Sequence, residues 1–225
     1  MTSREFRDRL TKRARRFEIR VTPSQIGALE KYFNLLTLWN ERINLTALRL
    51  DPPDEASFDR LLLEPLLAVR FLPAERVRVV DIGSGSGSPA IPMAIVGDVA
   101  HLTLVESKTR KSVFLMEAVR HLELEASVET ARYEQLLSRP DMHESFDVLT
   151  IRAVRVEPRS LLSLQAFIKP NGCLFWFRGR SGSQATNVPP PLRWQASHPL
   201  LDASGTLVVL VKEAIGRPSM FHVEQ

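Results

Sequence analysis

The stretch Val79-Val80-Asp81-Ile82-Gly83-Ser84-Gly85-Ser86-Gly87-Ser88-Pro89 constrains the fold of this chain more than any other. An apolar run ends on an acid, three glycines follow at alternate positions, and a helix-like segment comes next. A strand that stops at such a turn lets backbone approach a ligand closely, because glycine tolerates positive φ and has no Cβ in the way. In open α/β sheets, turns of this kind sit at the carboxyl ends of strands, where nucleotides bind. A nucleotide-type cofactor is therefore expected.

The flanking sequence supplies the sheet. From Arg76 on, apolar runs rich in β-branched residues predict strands at Val77–Ile82, Leu102–Val105, around Val128, Phe146–Ile151 and Cys173–Phe177. Helical segments separate them, at Pro89–Gly97, Thr109–Leu122, 133–138 and Pro158–Ile168. This alternation predicts a parallel, doubly wound sheet. Leu192–Ala196 and Thr206–Val211 break the rhythm: a turn joins them with no helix between, so an antiparallel pair closes the sheet. Upstream, Thr22-Pro23-Ser24-Gln25 predicts a capped helix start, and Ile26, Leu29, Phe33, Leu36 and Trp39 give that helix one apolar face. Phe58–Phe71 is helical in pattern but interrupted by Pro65, which either kinks it or opens a second helix. The expected division is a basic N-terminal helical extension at 1–74, a cofactor-binding domain at 75–213 and a tail at 214–225.

Charge distinguishes the first segment. Residues 1–20 hold eight Arg and Lys against three acids, a net +5 where the whole 225-residue chain carries +4. A basic arm ahead of a near-neutral body predicts a polyanionic partner. The rest of the composition, 44% hydrophobic and 25% charged, suits a globular core. No apolar run approaches the ~18 residues of a membrane span, and the basic N-terminus lacks the apolar stretch of a secretory signal, so a cytoplasmic protein without membrane contact is expected. Cys173 is the single cysteine and lies in an apolar run, which excludes an internal disulfide or a Cys-based zinc cluster. The five histidines show no metal-ligand spacing, and no metal is expected.

Two patterns compete for Asp81–Ala90. Gly85, Gly87 and Ala90 fit the dinucleotide fingerprint, with Glu106 about 20 residues on as its ribose acid. Asp81, Gly83, Gly85 and Gly87 fit a D-x-G-x-G-x-G turn that resembles S-adenosylmethionine methyltransferases. The closing antiparallel hairpin resembles the class I methyltransferase (Rossmann-like) seven-stranded fold, whereas a dinucleotide domain would continue into a second parallel half. Glu106 falls just past the second strand, where a carboxylate can accept both ribose hydroxyls. Arg132-Tyr133-Glu134, after the third strand, is placed to meet an adenine edge.

Further stretches are more specific. Leu38-Trp39-Asn40-Glu41-Arg42-Ile43-Asn44-Leu45-Thr46-Ala47 carries a W-N-x-x-x-N-L-T pattern. Leu104-Val105-Glu106-Ser107, Thr150-Ile151-Arg152-Ala153-Val154 and Lys169-Pro170-Asn171-Gly172 follow in order. On these residues the chain resembles, over roughly residues 25–212, the glucose-inhibited division protein B family, bacterial guanine-N7 methyltransferases of small-subunit ribosomal RNA. The resemblance implies S-adenosylmethionine at Gly83, Ser88, Tyr133, Glu134 and Arg152, beside Gly85, Gly87 and Glu106 from the turn reading. It also implies methylation of one guanine in the decoding-region loop of 16S ribosomal RNA, with the RNA or the small subunit as partner; a monomer is expected. Two departures stand out. Gly87-Ser88-Pro89-Ala90 replaces the family's Gly-Phe-Pro-Gly, so Ser88 is expected to contact by backbone at best. Arg155-Val156-Glu157 replaces Ala-Pro-Leu, while Arg178-Gly179 keeps the charge of Lys-Gly.

Guanine N7 carries a free lone pair, so the reaction needs alignment more than acid–base groups, and the lack of a Ser-His-Asp constellation does not count against it. Arg152, ending the fourth strand, is expected to position cofactor or guanine, with Arg152→Ala losing transfer while the fold stays intact. Lys108, Arg110, Lys111, Arg178 and Arg180 are candidates for RNA phosphate contact. A methyltransferase for protein or a small molecule, and a non-catalytic nucleotide- and RNA-binding module, are the alternative readings.

Overall fold

Val77–Ile82 forms β1, buried at five of its six positions, as a strand covered on both faces must be. In the computed structural model, which describes residues 1–73, 76–152, 157–179, 188–201 and 205–214, β1 pairs in parallel with Val99–Val105 (β2) and with Phe146–Arg152 (β4). Ala126–Glu129 (β3) lies beyond β2, and Ile168–Gly179 (β5) beyond β4, both parallel. Gly205–Lys212 (β7) is antiparallel to β5 and to Leu192–Leu200 (β6). The order is β3-β2-β1-β4-β5-β7-β6, the expected Rossmann-like seven-stranded sheet with one antiparallel strand. Strand order reverses between β1 and β4, so their carboxyl ends flank the crevice where such sheets bind ligands. Helices Ala90–Val96 (α5), Thr109–His121 (α6), Tyr133–Leu136 (α7) and Pro158–Leu164 (α8) make the crossovers.

Several strands outrun their apolar cores. β2 begins at Val99, and β6 runs to Leu200 with alternating exposure. β5 starts at Ile168, ahead of the expected Cys173, because Lys169-Pro170-Asn171-Gly172 is a bulge inside the strand. Asn171 takes φ 65°, and the pairing jumps from Phe146–Ile168 to Val148–Cys173. Cys173 is buried, and desolvation pushes its thiol up to about 12, which leaves it inert.

The first helices build no separate core. Ser3–Arg16 (α1) and Pro23–Asn40 (α2) both start with capping boxes, Thr2 with Glu5 and Thr22 with Gln25. α1 buries Phe6, Leu10 and Ala14 at four-residue spacing. The rings of Phe6, Phe33 and Phe58 lie 5.3, 5.7 and 5.9 Å apart, each pair adding about 0.5–1.5 kcal/mol beyond area burial. These residues belong to one apolar cluster with Val79, Leu102 and Leu104 of the sheet.

The Pro65 segment resolves into one continuous helical run of mixed pitch. Glu55–Phe58 (α3) passes into a π-turn at Asp59–Leu63, then Glu64–Ala68 (α4) and a 3-10 turn at Val69–Phe71. The Glu64 amide reaches back to Asp59 O, skipping Arg60 O, and Pro65 has no N–H to offer Leu61 O. Two carbonyls are thus released on the side of the helix that faces the crevice.

Candidate functional site

The glycine turn is held from three directions. Gly83 and Gly85 take φ 74° and 48°. The amides of Gly83 and Ser84 donate to Val105 O at 2.9 and 3.1 Å. Glu106, buried at the end of β2, accepts Gly85 N on Oε2 at 3.0 Å and Lys108 N on Oε1 at 2.8 Å, joining the turn to the start of α6. From α2, the fully buried Tyr32 hydroxyl donates to Ser86 O at 2.8 Å.

Two hollows flank the turn. One, of about 350 Å³, is lined by Gly83–Ser86, Ser88, Glu106, Lys111 and Arg152 on the sheet side and by Leu45–Leu48, Arg60 and Leu61 opposite. The other, of about 260 Å³, is lined by Ile82, Gly83, Val105, Glu106, Ser107, Ala131, Arg132, Tyr133 and Glu134. They share Gly83 and Glu106, so the Glu106 carboxylate stands at the middle of an elongated cleft. The W-N-x-x-x-N-L-T stretch supplies part of the wall. Asn40 Oδ1 accepts the amides of Leu45 and Thr46, both at 2.9 Å, and so folds that loop. Trp39 packs edge-on against Phe114 of α6, 6.0 Å between centroids.

Arg152 and Ser88 take up the two carbonyls released by the π-turn. Arg152 Nη1 donates to Arg60 O and, at 3.2 Å, to Ser88 Oγ. Ser88 Oγ in turn donates to Leu61 O at 2.9 Å. Nη2 meets Glu64 Oε2 at 2.9 Å, with both side chains nearly out of solvent at 8% and 5% exposure. The guanidinium lies 4.4 Å from the Phe177 ring centroid. Burial brings Arg152 down to about 10, opposed by Glu64. This is an Arg paired with a buried acid, so Arg152→Ala is expected to cost stability, against the expectation of an intact fold, because it breaks a buried charge pair.

Asp81 lies behind the turn. Thr150 Oγ1 donates to its Oδ1 at 2.5 Å, while Oδ2 is buried with no partner among the described residues. Desolvation raises the carboxyl from 3.8 to about 6, against the hydrogen bonds of Thr150 and Ser84 and the charge of Arg152, with Glu106 adding to the rise. A carboxyl whose folded value lies above its unfolded one destabilises the fold progressively as pH rises between the two. Each pH unit there is worth about 1.4 kcal/mol, so Asp81→Asn should gain on the wild type by up to about 3 kcal/mol between pH 4 and 6, and no more above that. Urea titrations across that range check it; a stability difference independent of pH would refute it.

The predicted site residues do not all meet. Gly83, Gly85, Ser88, Glu106, Tyr133, Glu134 and Arg152 line the cleft. Gly87 does not: its amide donates to Ser84 O, its carbonyl accepts Ile91 N, and a Cβ there would sit 2.5 Å from Ile91 Cδ1. Its glycine is needed for packing of the turn on α5. The Ser88 hydroxyl is taken up by Leu61 O and Arg152 Nη1. Of the phosphate candidates, Lys111 lies inside the cleft, its Nζ 4.0 Å from where a Gly85 Cβ would be. Lys108 and Arg110 are exposed at the start of α6, and Arg178 is stacked at 4.7 Å on Trp176. Arg180, Ala153-Val154 and the Arg155-Val156 departure lie outside the described residues. Glu64, Arg60 and Tyr32 were not among the predicted residues. A lone acid within Leu61-Leu62-Leu63-Glu64-Pro65-Leu66-Leu67 is the signal that marks Glu64, since a carboxylate in an apolar run is buried only when paired.

Residues 25–189 match the family described as rRNA small subunit methyltransferase G (GidB). A ribosomal RNA small subunit methyltransferase G of Dichelobacter nodosus is 37% identical over 202 residues, 86% of this chain and 90% of that one. Its namesake in Xanthomonas campestris is 34% identical over 194 residues, 82% and 86% of the two chains. That of Bacillus subtilis is 30% identical over 173 residues, 76% and 71%. Among solved structures, a SAM dependent methyltransferase from Aquifex aeolicus superposes with a TM-score of 0.53 at 14% identity, over 70% of this chain and 93% of that one.

Proposed function

Because the chain belongs to the rRNA small subunit methyltransferase G family, we propose that it transfers the methyl group of S-adenosylmethionine to N7 of a guanine in the decoding-region loop of 16S ribosomal RNA. The observation that carries the cofactor's placement is the cleft with Glu106 at its centre. Its carboxylate has about four lone-pair positions, and the amides of Gly85 and Lys108 take two, leaving acceptors for a ribose diol. Tyr133 and Glu134 flank the end suited to adenine. At the other end, Gly83, Gly85 and the Lys111 ammonium face the space suited to an amino-acid moiety with its carboxylate. The residues present therefore fit the cofactor.

S-adenosylmethionine, when bound, supplies an electrophilic methyl on a sulfonium. The chain's task is to hold that group and a guanine in line and to keep water away, since N7 has no proton to lose. Arg152 and Ser88, locked to the π-turn, make one rigid wall; the Leu45–Leu48 loop makes the other. Residues 75–213 are the transferase domain in this reading, and residues 1–74 form a helical extension that closes one side of its cleft. Comparing N7-methylguanine in 16S RNA from cells with and without this gene tests the proposal: one modified guanine should disappear, and an unchanged RNA would defeat it.

A further inference from the structure

Two basic side chains of the arm are tied to acids of later helices. Arg7 pairs with Glu30 at 3.0 Å, and Arg13 is paired with Asp59 and, at 3.4 Å, with Glu55. Those two fasten α1 to α2 and to the helix that ends in the π-turn. Lys12 and Arg16 have exposed side chains, the Arg16 guanidinium 5.4 Å from the Phe17 centroid, and with Arg9 and Arg13 they line a groove of about 500 Å³ in which Asp8 and Glu55 are the acids. Asp8 is itself beside Arg4 at 3.8 Å. Arg9 is fixed across the groove floor, its guanidinium 4.6 Å from the Phe58 centroid and its Nη1 donating to Pro53 O at 2.9 Å.

We propose that this groove grips a phosphodiester stretch of the RNA whose guanine enters the cleft. The inference rests on the proposed function and adds a second contact to it, through basic residues that precede the segment matched by the family. The placement favours this occupant. Glu55 borders the groove and Arg60 the cleft, five residues apart on one helical run, or roughly 8 Å at 1.5 Å per residue. One strand of RNA can therefore span both. Guanidinium forks suit phosphate oxygens, and a guanidinium already held against a ring gives up little freedom on binding. Contacts of this kind position a nucleic acid without reading its sequence.

The test uses small-subunit particles, and 16S RNA extracted from them, both from cells lacking this gene. The Lys12→Gln/Arg16→Gln double variant should bind one of these at least tenfold more weakly. Its log–log salt slope should be shallower by about 1.4, two phosphate contacts at about 0.7 each. KM for RNA should rise while kcat and S-adenosylmethionine affinity hold. Arg15→Gln, which removes an exposed charge of α1 outside the groove, should change KM less than twofold. Equal losses from Arg15→Gln, or an unaltered slope in the double variant, would overturn the groove while leaving the proposed function standing. A wild-type chain that neither binds nor methylates either substrate would overturn both.

Discussion

Arg152→Ala should lower stability by about 3–5 kcal/mol, because it breaks the buried charge pair with Glu64. Glu64→Gln should cost a comparable amount by stranding the guanidinium. The pair is out of solvent, and its loss also leaves Arg60 O without its donor. A double Glu64→Met/Arg152→Met variant should regain most of that stability, since apolar replacements of a buried pair are often neutral. It should not regain methyl transfer, because the Arg152 guanidinium that ties Arg60 O and Ser88 Oγ together at the cleft wall is gone. Denaturant titrations read the first effect, and single-turnover assays at matched folded fraction read the second. Full activity in the double variant would reduce the pair to a structural fastening.

Glu106→Gln is expected to weaken S-adenosylmethionine binding by about 10- to 100-fold, with a smaller effect on kcat. The substituted amide has one acceptor oxygen where the carboxylate has two, so either Gly85 N or Lys108 N would face an NH2 group. A hydrogen bond to a charged group is worth about 1.5–3 kcal/mol, and every 1.4 kcal/mol is tenfold in affinity. Calorimetric titration with S-adenosylmethionine measures it. A Kd within twofold of wild type would mean that Glu106 braces the glycine turn without touching ligand.

The turn, the alternation of elements and the family signature were legible because each is local. Alternate glycines after an apolar run, strand and helix periods, and the capping residues Thr22 and Gln25 all act within a few residues of themselves. Asn40 belongs with them: the reason for its place in the signature is two amides five and six residues on. The fate of the charges was not local. Eight basic residues in the first 20 look alike in one dimension, yet Arg13 is paired with an acid 46 residues away, while Lys12 beside it is exposed. The helical phase of α1 decides which is which, through the faces it turns to Glu30 and Asp59.

Arg152 makes the same point at the cleft. That a strand would end there, at the carboxyl edge of the sheet, followed from residues 146–152 alone. That it would be gripped by Glu64 and by the Arg60 carbonyl freed at the π-turn, 88 and 92 residues away in sequence, followed only from the packing of the helical run on the sheet. The sequence by itself determined the class of fold, the cofactor turn and the family, because period, glycine and signature are properties of short segments. The tertiary structure alone decided that Gly87 packs while Gly83 and Gly85 line the cleft, that Lys111 faces the cleft, and that part of the basic arm is structural. Burial and pairing depend on which distant segments meet, and no local pattern records that.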